Sequence, residues 1–186
     1  MTFHRVLVLA AGLSLSGCSD PQAEPSPPCD QECQDRTAAR ALRETMKLVY
    51  NITLQGNPVG PQDETTPCPL GGKARVFGQA TSNAKFGSTE VSLTYELAAC
   101  HSLSRDEEAG ENYDMVVTGS VSQTGTLAVQ PTATTALVMQ SAAITLEGDV
   151  YDPPIGYSIA ACAVDMGQDG NQLLGTLCGR QFGVGL

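Results

Sequence analysis

The feature that most constrains the fold is a period-two alternation of apolar and polar residues, which dominates the chain from Lys73 onward. Every second residue between 91 and 97 is apolar, and residues 142–150 follow the same pattern. This alternation is typical of antiparallel strands that bury one face and expose the other to water. The predicted strands are 73–81, 89–100, 112–122, 136–150, 155–166 and 171–179, with a further short strand at 125–130.

The connections between these strands contain residues that favour turns. Asp152 to Pro154 and Asp169-Gly170 are typical turn sequences, and residues 56–72, which are rich in Gly and Pro, are predicted to be a loop. The sequence therefore predicts a mainly β domain over residues 57–186. We expect an antiparallel meander that forms a small barrel or bent sandwich, with one N-terminal helix and three disulfides.

Two short patterns repeat within the predicted strands. Residues 95–100 read YELAAC and residues 157–162 read YSIAAC, so two strands are expected to do the same structural job, by duplication or by convergence. A glycine also lies between apolar residues on one face of four strands, at Gly78, Gly119, Gly148 and Gly175. Strong coiling of the sheet is the expected use of these glycines, and a groove for a helix, a lipid or a partner side chain is the alternative.

A helix is predicted over residues 29–56, ahead of the strands. Asp30 is a suitable N-cap, and the apolar side of the helix is expected to pack on the open face or across one end of the sheet. The residues at helical spacing on this side are Ala38, Ala41, Leu42, Thr45, Val49 and Ile52, and the opposite side carries Arg36, Arg40, Arg43 and Lys47.

The N-terminus has the organisation of an export signal. Arg5 is followed by an apolar run over residues 6–15, and Leu15-Ser16-Gly17-Cys18 resembles the lipobox of bacterial lipoproteins. The resemblance implies that residues 1–17 are removed and that Cys18 carries the lipid. Ser19 agrees with the outer-membrane sorting preference of some lipoproteins. The proline-rich residues 18–28 are then a tether, whose length of roughly 3.1 Å per residue would hold the body away from the bilayer.

Lipidation of Cys18 would leave six cysteines, an even number that can close three disulfides in an oxidising compartment. Sequence alone does not choose among their pairings. If the sheet closes, the start of the first strand lies beside the end of the last, which favours Cys68 with Cys178. The matching strand-end positions of Cys100 and Cys162 favour a second pair, and Cys29 would then bond Cys33.

Charge and composition exclude several functions. The chain has 20 Asp and Glu against 10 Lys and Arg, so nucleic acid and bare anionic lipid surfaces are poor partners. No phosphate loop, dinucleotide fingerprint or zinc-ligand spacing occurs in the sequence, and we expect neither a cofactor nor a metal. Membrane contact is expected only through the lipid on Cys18.

Other chemical interpretations of short segments are weaker. Cys29-Asp30-Gln31-Glu32-Cys33 resembles the paired cysteines of copper-delivery proteins, which would imply metal or redox work, but a structural bridge is favoured. Residues 165–171 match half of a calcium loop and are better explained as a hairpin. Nucleophilic catalysis would need His101 as a base beside Ser102 or Ser104. Catalysis by paired carboxylates would need the acids at positions 106, 107, 108 and 111. A surface role is favoured for all of these residues.

These observations favour an envelope lipoprotein over an enzyme. Residues 68–186 are also loosely similar to uncharacterised lipoproteins of myxobacteria, a family that implies no activity. We expect a structural or protein-binding role at the outer membrane, with an envelope protein as partner.

The alternative is a carrier of a small apolar ligand that uses the glycine-lined face as its pocket, and an enzyme of unknown type is third. The carrier would resemble lipocalins, but the chain has no tryptophan. An interior cavity of several hundred Å³ would favour the carrier.

Overall fold

A computed structural model describes residues 29–55, 59–105 and 111–186. The signal segment, Cys18 and the tether lie outside the described residues. The helix α1 spans Gln31–Leu54, and a single 3-10 turn, Ala84–Phe86, follows the second of eight strands. The strands are β1 (Gly60–Pro67), β2 (Lys73–Asn83), β3 (Ser88–Ser104), β4 (Tyr113–Ala128), β5 (Ala136–Val150), β6 (Ile155–Asp169), β7 (Gln172–Leu177) and β8 (Arg180–Gly185).

The eight strands form one antiparallel sheet in chain order, so each strand pairs only with its sequence neighbours. This arrangement confirms the prediction of a mainly β meander with one helix and three disulfides. The sheet is not closed, because β1 and β8 are its two edges. Of the two predicted architectures, the structure therefore fits a bent sandwich or an open barrel rather than a closed one.

The longest predicted strand, residues 136–150, coincides with β5. Two edge strands were not predicted. β1 has the sequence GPQDETTP, which lacks large apolar residues and contains two prolines, and it forms because β2 offers it an antiparallel partner. β8 is only six residues long and immediately follows a turn. The separate strand predicted at 125–130 is wrong, since β4 continues without a break to Ala128.

The helix begins at the predicted cap. The Asp30 carboxylate accepts a hydrogen bond from the Cys33 amide at 2.9 Å, which satisfies one of the free donors of the first turn. The side of α1 that faces the sheet is rich in alanine, so the helix lies close to the strands. Its buried apolar residues are Ala38, Ala39, Ala41, Leu42, Met46, Val49 and Leu54. Ile52 was predicted to join them, but it is 49% exposed.

The inner face of the sheet and α1 enclose one apolar core. The four glycines of the repeated pattern lie on this face with positive φ angles. A Cβ at Gly148 would lie 2.0 Å from the carbonyl oxygen of Asp114, and one at Gly78 would lie 2.2 Å from that of Ser92. The neighbouring strand therefore occupies the space of the missing side chain, as a strongly coiled sheet requires. At Gly78 and Gly148 the alternative use as a groove is not observed, whereas Gly119 lines a separate depression of about 420 Å³ between residues of β1 to β4.

The YELAAC and YSIAAC segments have the same structural role. Ala99 and Ala161, each immediately before the cysteine, have φ angles of 51° and 52°. Both lie where the strand register shifts, β3 against β4 and β6 against β5. Each segment thus buries a tyrosine, forms a bulge and ends in a disulfide-bonded cysteine.

The two long disulfides differ from the predicted pairs. Cys68 bonds Cys100 and Cys162 bonds Cys178, whereas Cys29 bonds Cys33 as expected. The prediction of Cys68 with Cys178 and Cys100 with Cys162 assumed a closed sheet. In the open sheet, the β1–β2 turn that carries Cys68 lies beside the bulge in β3 next to Cys100. The β7–β8 turn that carries Cys178 lies beside the bulge in β6 next to Cys162.

Candidate ligand-binding cleft

A cleft of about 480 Å³ lies between the C-terminal half of α1 and one end of strands β3, β4 and β5. This volume is within the range of pockets that hold small molecules, roughly 300–1,000 Å³. The side chains that line the cleft come from α1, the three strands and the β4–β5 connection.

One wall of the cleft is apolar. Leu137 and Met139 are buried at its base, Leu127 is half-buried, and Val129 at the rim is 68% exposed. Leu54 closes the cleft from the helix side. An apolar surface of this kind gains free energy when a ligand replaces water, at about 25 cal/mol per Å² removed from water.

Three buried polar side chains also line the cleft: Thr89, Tyr95 and Gln123. The Tyr95 residue is 0% exposed, and its hydroxyl has no hydrogen-bond partner in residues 29–55, 59–105 and 111–186. A buried hydroxyl without a partner costs about 1–3 kcal/mol, so such groups are uncommon and call for an explanation. Burial raises the pKa of Tyr95, with a smaller contribution from Tyr50, and the hydroxyl remains a hydrogen-bond donor at neutral pH.

The charged side chains of the cleft lining are both cationic. Arg43 and Lys47 project from α1, and no Asp or Glu is among the lining residues within the described part of the chain. Arg43 is held in place by Gln168, with 3.0 Å between Nε and Oε1, and by a salt bridge to Glu44. Lys47 forms a salt bridge to the same Glu44 carboxylate at 3.6 Å, and its side chain is 54% exposed.

The other end of α1 is clamped to the sheet by a buried carboxylate. Asp35 is 1% exposed and accepts hydrogen bonds from the Tyr157 hydroxyl at 2.7 Å and from Arg180 at 2.6 and 2.8 Å. Gln31 donates a further bond at 3.0 Å. Burial raises the pKa of Asp35, but the bonds from Arg180, Tyr157 and Gln31 outweigh it and hold the pKa below its ordinary value. This carboxylate fixes the helix on strands β6 and β8.

Further polar contacts hold the middle of α1. The Thr45 and Ser102 hydroxyls lie 2.6 Å apart in the core, and Arg36 and Arg40 both bind the Glu111 carboxylate. Each of these contacts joins the helix to the strands or to the loop before β4. Together with the Asp35 clamp, they leave only the C-terminal part of α1 beside an open space.

The structure separates the residues of the predicted catalytic alternatives. The Ser102 hydroxyl points into the core toward Thr45, whereas His101 points outward and lies 2.5 Å from Asp114. Glu111 is paired with two arginines, and the acids at positions 106, 107 and 108 lie outside the described residues. A serine and histidine pair is thus not formed, in agreement with the surface role favoured for His101.

A smaller cavity of about 260 Å³ at the opposite end of β4 and β5 contains several acids. Asp114 and Asp149 are direct register partners across β4 and β5, and Asp152 follows in the next turn. Asp114 already contacts His101, and Asp149 and Asp152 are exposed. Solvated acids of this kind are typical of a polar surface, and we assign no reaction to this cavity.

The two metal interpretations do not gain support from the geometry. Cys29 and Cys33 are joined in a disulfide beside the helix N-cap, and the half-matched calcium loop is the end of β6 and the turn into β7. In residues 29–55, 59–105 and 111–186, no three His, Cys, Asp or Glu side chains are grouped so that they could hold a metal ion.

The sequence contained a signal for the cleft that the strand analysis did not use. Thr89 and Gln123 occupy positions that the alternation assigns to the inner face, where large apolar side chains are expected. The cleft also differs in place from the predicted carrier pocket, since none of the four glycines of the repeated pattern lines it.

Comparisons with protein-family models, curated proteins and solved structures find no match to this chain. Among the helices that the structure describes, none has the length and apolar character needed to cross a bilayer.

Proposed function

We propose that the protein is a lipid-anchored envelope protein whose β domain binds a small molecule in the cleft beside α1. The observation that carries this proposal is the cleft of about 480 Å³ that is lined by Tyr95, whose buried hydroxyl has no hydrogen-bond partner among the described residues. A purely structural domain gains nothing from such a hydroxyl, because a buried polar group without a partner lowers stability.

The surrounding core supports this interpretation by contrast. Side chains of β4 to β7, such as Val117, Leu146 and Leu173, are completely buried in the apolar core. The cleft lies at one end of the sheet, where buried polar groups and an apolar wall occur together. Ligand pockets combine these two features, since the wall supplies affinity and the polar groups supply orientation.

The proposed location rests on the N-terminal sequence. The lipobox-like residues 15–18 imply acyl chains on Cys18, and three disulfides are typical of an oxidising compartment. Each buried methylene contributes about 0.8 kcal/mol, so two or more chains would hold the protein on the membrane. A Cys18→Ser variant should leave the membrane fraction; one that remains there would contradict the anchor.

Ligand binding can be tested with protein purified from its own envelope. Native mass spectrometry should show a small molecule bound to the wild-type domain. A Leu127→Trp variant, which fills the cleft from its half-buried wall, should lose that molecule. Thr124→Trp is the matched control, because residue 124 is exposed on the outer face of the same strand and should retain the molecule. Equal occupancy in both variants would contradict the cleft as the site.

A protein-binding role remains the second candidate, and the outer face of the sheet favours it. One row of paired residues on the outer face runs across all eight strands and contains no charged residue. Within this row, Val138 and Leu174 are 45% and 58% exposed. The row consists of Pro61, Gln79, Ser92, Thr124, Val138, Gly167, Leu174 and Gly183. Crosslinking of intact envelopes should recover one stoichiometric partner that a Leu174→Asp variant loses and a Glu96→Asp variant retains.

A further inference from the structure

We infer that the cleft binds an amphipathic anion, a small molecule with an apolar chain and a single carboxylate or similar acidic group. This inference rests on the proposed function and names its ligand class. It follows from the hydrogen-bonding capacity, the charge and the apolar wall of the same cleft.

The hydrogen-bonding capacity of the cleft favours an acceptor on the ligand. The Tyr95 hydroxyl is buried and has no hydrogen-bond partner among the described residues. Gln123, whose side-chain amide can donate, also lines the cleft. A carboxylate accepts from several donors at once, and hydrogen bonds to an ionised acceptor are about twice as strong as neutral ones.

The charge of the lining favours an anion over a neutral ligand. The chain carries a net charge of −10, yet the charged residues of the cleft lining are Arg43 and Lys47. Arg43 is engaged with Gln168 and Glu44, whereas Lys47 contacts Glu44 at 3.6 Å and its side chain is 54% exposed. Lys47 is therefore the residue that we assign to the anionic group, as a positioning charge beside the Tyr95 donor.

The apolar wall excludes small polar anions. Leu54, Leu127, Val129, Leu137 and Met139 offer no hydrogen bonds to a sugar or to a second phosphate. A polar ligand would leave its own groups unpaired against this wall, which costs about 1–3 kcal/mol for each group. An aliphatic or aromatic body loses no hydrogen bonds at this wall, and binding gains free energy because the apolar surface of the wall is removed from water.

Three probes of equal chain length test this inference on the full disulfide-bonded protein. Decanoate, decanol and decyltrimethylammonium differ only in head group, and calorimetry measures their affinities. Decanoate should bind at least about tenfold more tightly than decanol, and the cation should bind most weakly. Lys47→Gln should weaken decanoate binding several-fold and leave decanol unchanged. Lys85→Gln, an exposed lysine outside the cleft, is the control for loss of charge.

The Tyr95→Phe variant separates a binding role from a structural one. It should weaken decanoate binding about tenfold and raise the melting temperature of the empty protein, because it removes an unpaired buried hydroxyl. A structural hydroxyl would give the opposite change in stability. If decanol binds as tightly as decanoate, the anion inference is wrong and the carrier proposal stands. If no probe binds, both are contradicted.

Discussion

Tyr95 and Tyr157 occupy matching positions in two strands that are built alike, yet their hydroxyls have opposite surroundings. Tyr157 donates to the buried Asp35 carboxylate at 2.7 Å, whereas Tyr95 lines the cleft and has no hydrogen-bond partner among the described residues. The local sequences, YELAAC and YSIAAC, are similar. The difference comes from α1, whose N-terminal part places Asp35 beside Tyr157 and whose C-terminal part lines the cleft together with Tyr95.

The likeness of the two strands extends to the backbone. The amide of Ala99 donates to the Thr118 hydroxyl at 3.1 Å, and the amide of Ala161 donates to the Thr145 hydroxyl at 3.5 Å. In each case the neighbouring strand supplies a threonine that satisfies the bulge. The two bulges are therefore stabilised in the same way.

The chain order around the two strands is nevertheless reversed. Cys68 precedes its partner Cys100 by 32 residues, whereas Cys178 follows its partner Cys162 by 16. A tandem duplication would keep the same order in both copies. Convergence therefore explains the repeat better than duplication does. A bulge and a disulfide stabilise the sheet in the same way near both of its edges.

Removing the disulfides should have the largest effect on stability and should distinguish the two edges. In the chain-entropy model, the double variant Cys68→Ala with Cys100→Ala loses roughly 4 kcal/mol, and Cys162→Ala with Cys178→Ala loses roughly 3 kcal/mol. The larger loss follows from the longer closed loop. Urea unfolding measures both values, and an equal or reversed order would show that local packing outweighs loop length.

Removing the helix clamp should cost about as much as removing the Cys162–Cys178 disulfide. Asp35→Ala leaves the Tyr157 hydroxyl and Arg180 without their partner, and we expect a loss of roughly 3 kcal/mol. This value is at the low end for buried ion pairs because the Arg180 side chain is 43% exposed and can turn to water. Urea unfolding measures the loss, and Asp169→Ala, an exposed acid at the end of β6, should change stability little.

The two tyrosines should respond in opposite directions to the same change. Tyr157→Phe should lower the free energy of unfolding by about 1–2 kcal/mol, because Asp35 loses a hydrogen bond. Tyr95→Phe should leave it unchanged or raise it by about 1 kcal/mol. Parallel melting curves of the ligand-free proteins check this prediction. Destabilisation by both variants would mean that Tyr95 has a structural partner.

The smallest effect should be on acid stability. The pKa of Asp35 lies below the ordinary value of 3.8, so its contribution is fully present above that pH and is lost as the pH falls through the lowered pKa. Tyr157→Phe removes one bond that lowers this pKa. Acidification should therefore cost the variant less stability, with the loss complete at a higher pH. Tyr95→Phe should retain the wild-type profile in unfolding experiments between pH 5 and pH 2.

The parts of the fold that sequence could predict are those that depend on local pattern. The alternation in residues 136–150 locates β5, and Asp30 caps α1 as expected, because a strand face and an N-cap are set by residues close in sequence. Strand β1 was missed because its pairing comes from β2 and not from apolar residues of its own. The disulfide prediction failed because it required knowledge of whether the sheet closes.

The cleft was the least predictable part of the molecule. A carrier pocket was expected along the glycines, but a close neighbouring strand fills the place of a side chain at Gly148 and Gly78, and Gly119 lines a separate depression of about 420 Å³. The cleft lies instead beside α1 and is lined by none of these glycines. Thr89 and Gln123 line it, and their polarity at inward positions was a signal in the sequence.

The sequence by itself determined the strand-rich body, the capped helix, the inward face of the predicted strands and the N-terminal motif around Cys18, because periodicity and short motifs act over a few residues. Tertiary structure decided the open edges, the cysteine partners and the different surroundings of Tyr95 and Tyr157. These depend on how one helix lies across eight strands, and that placement is set by contacts such as Asp35 with Arg180, which are 145 residues apart.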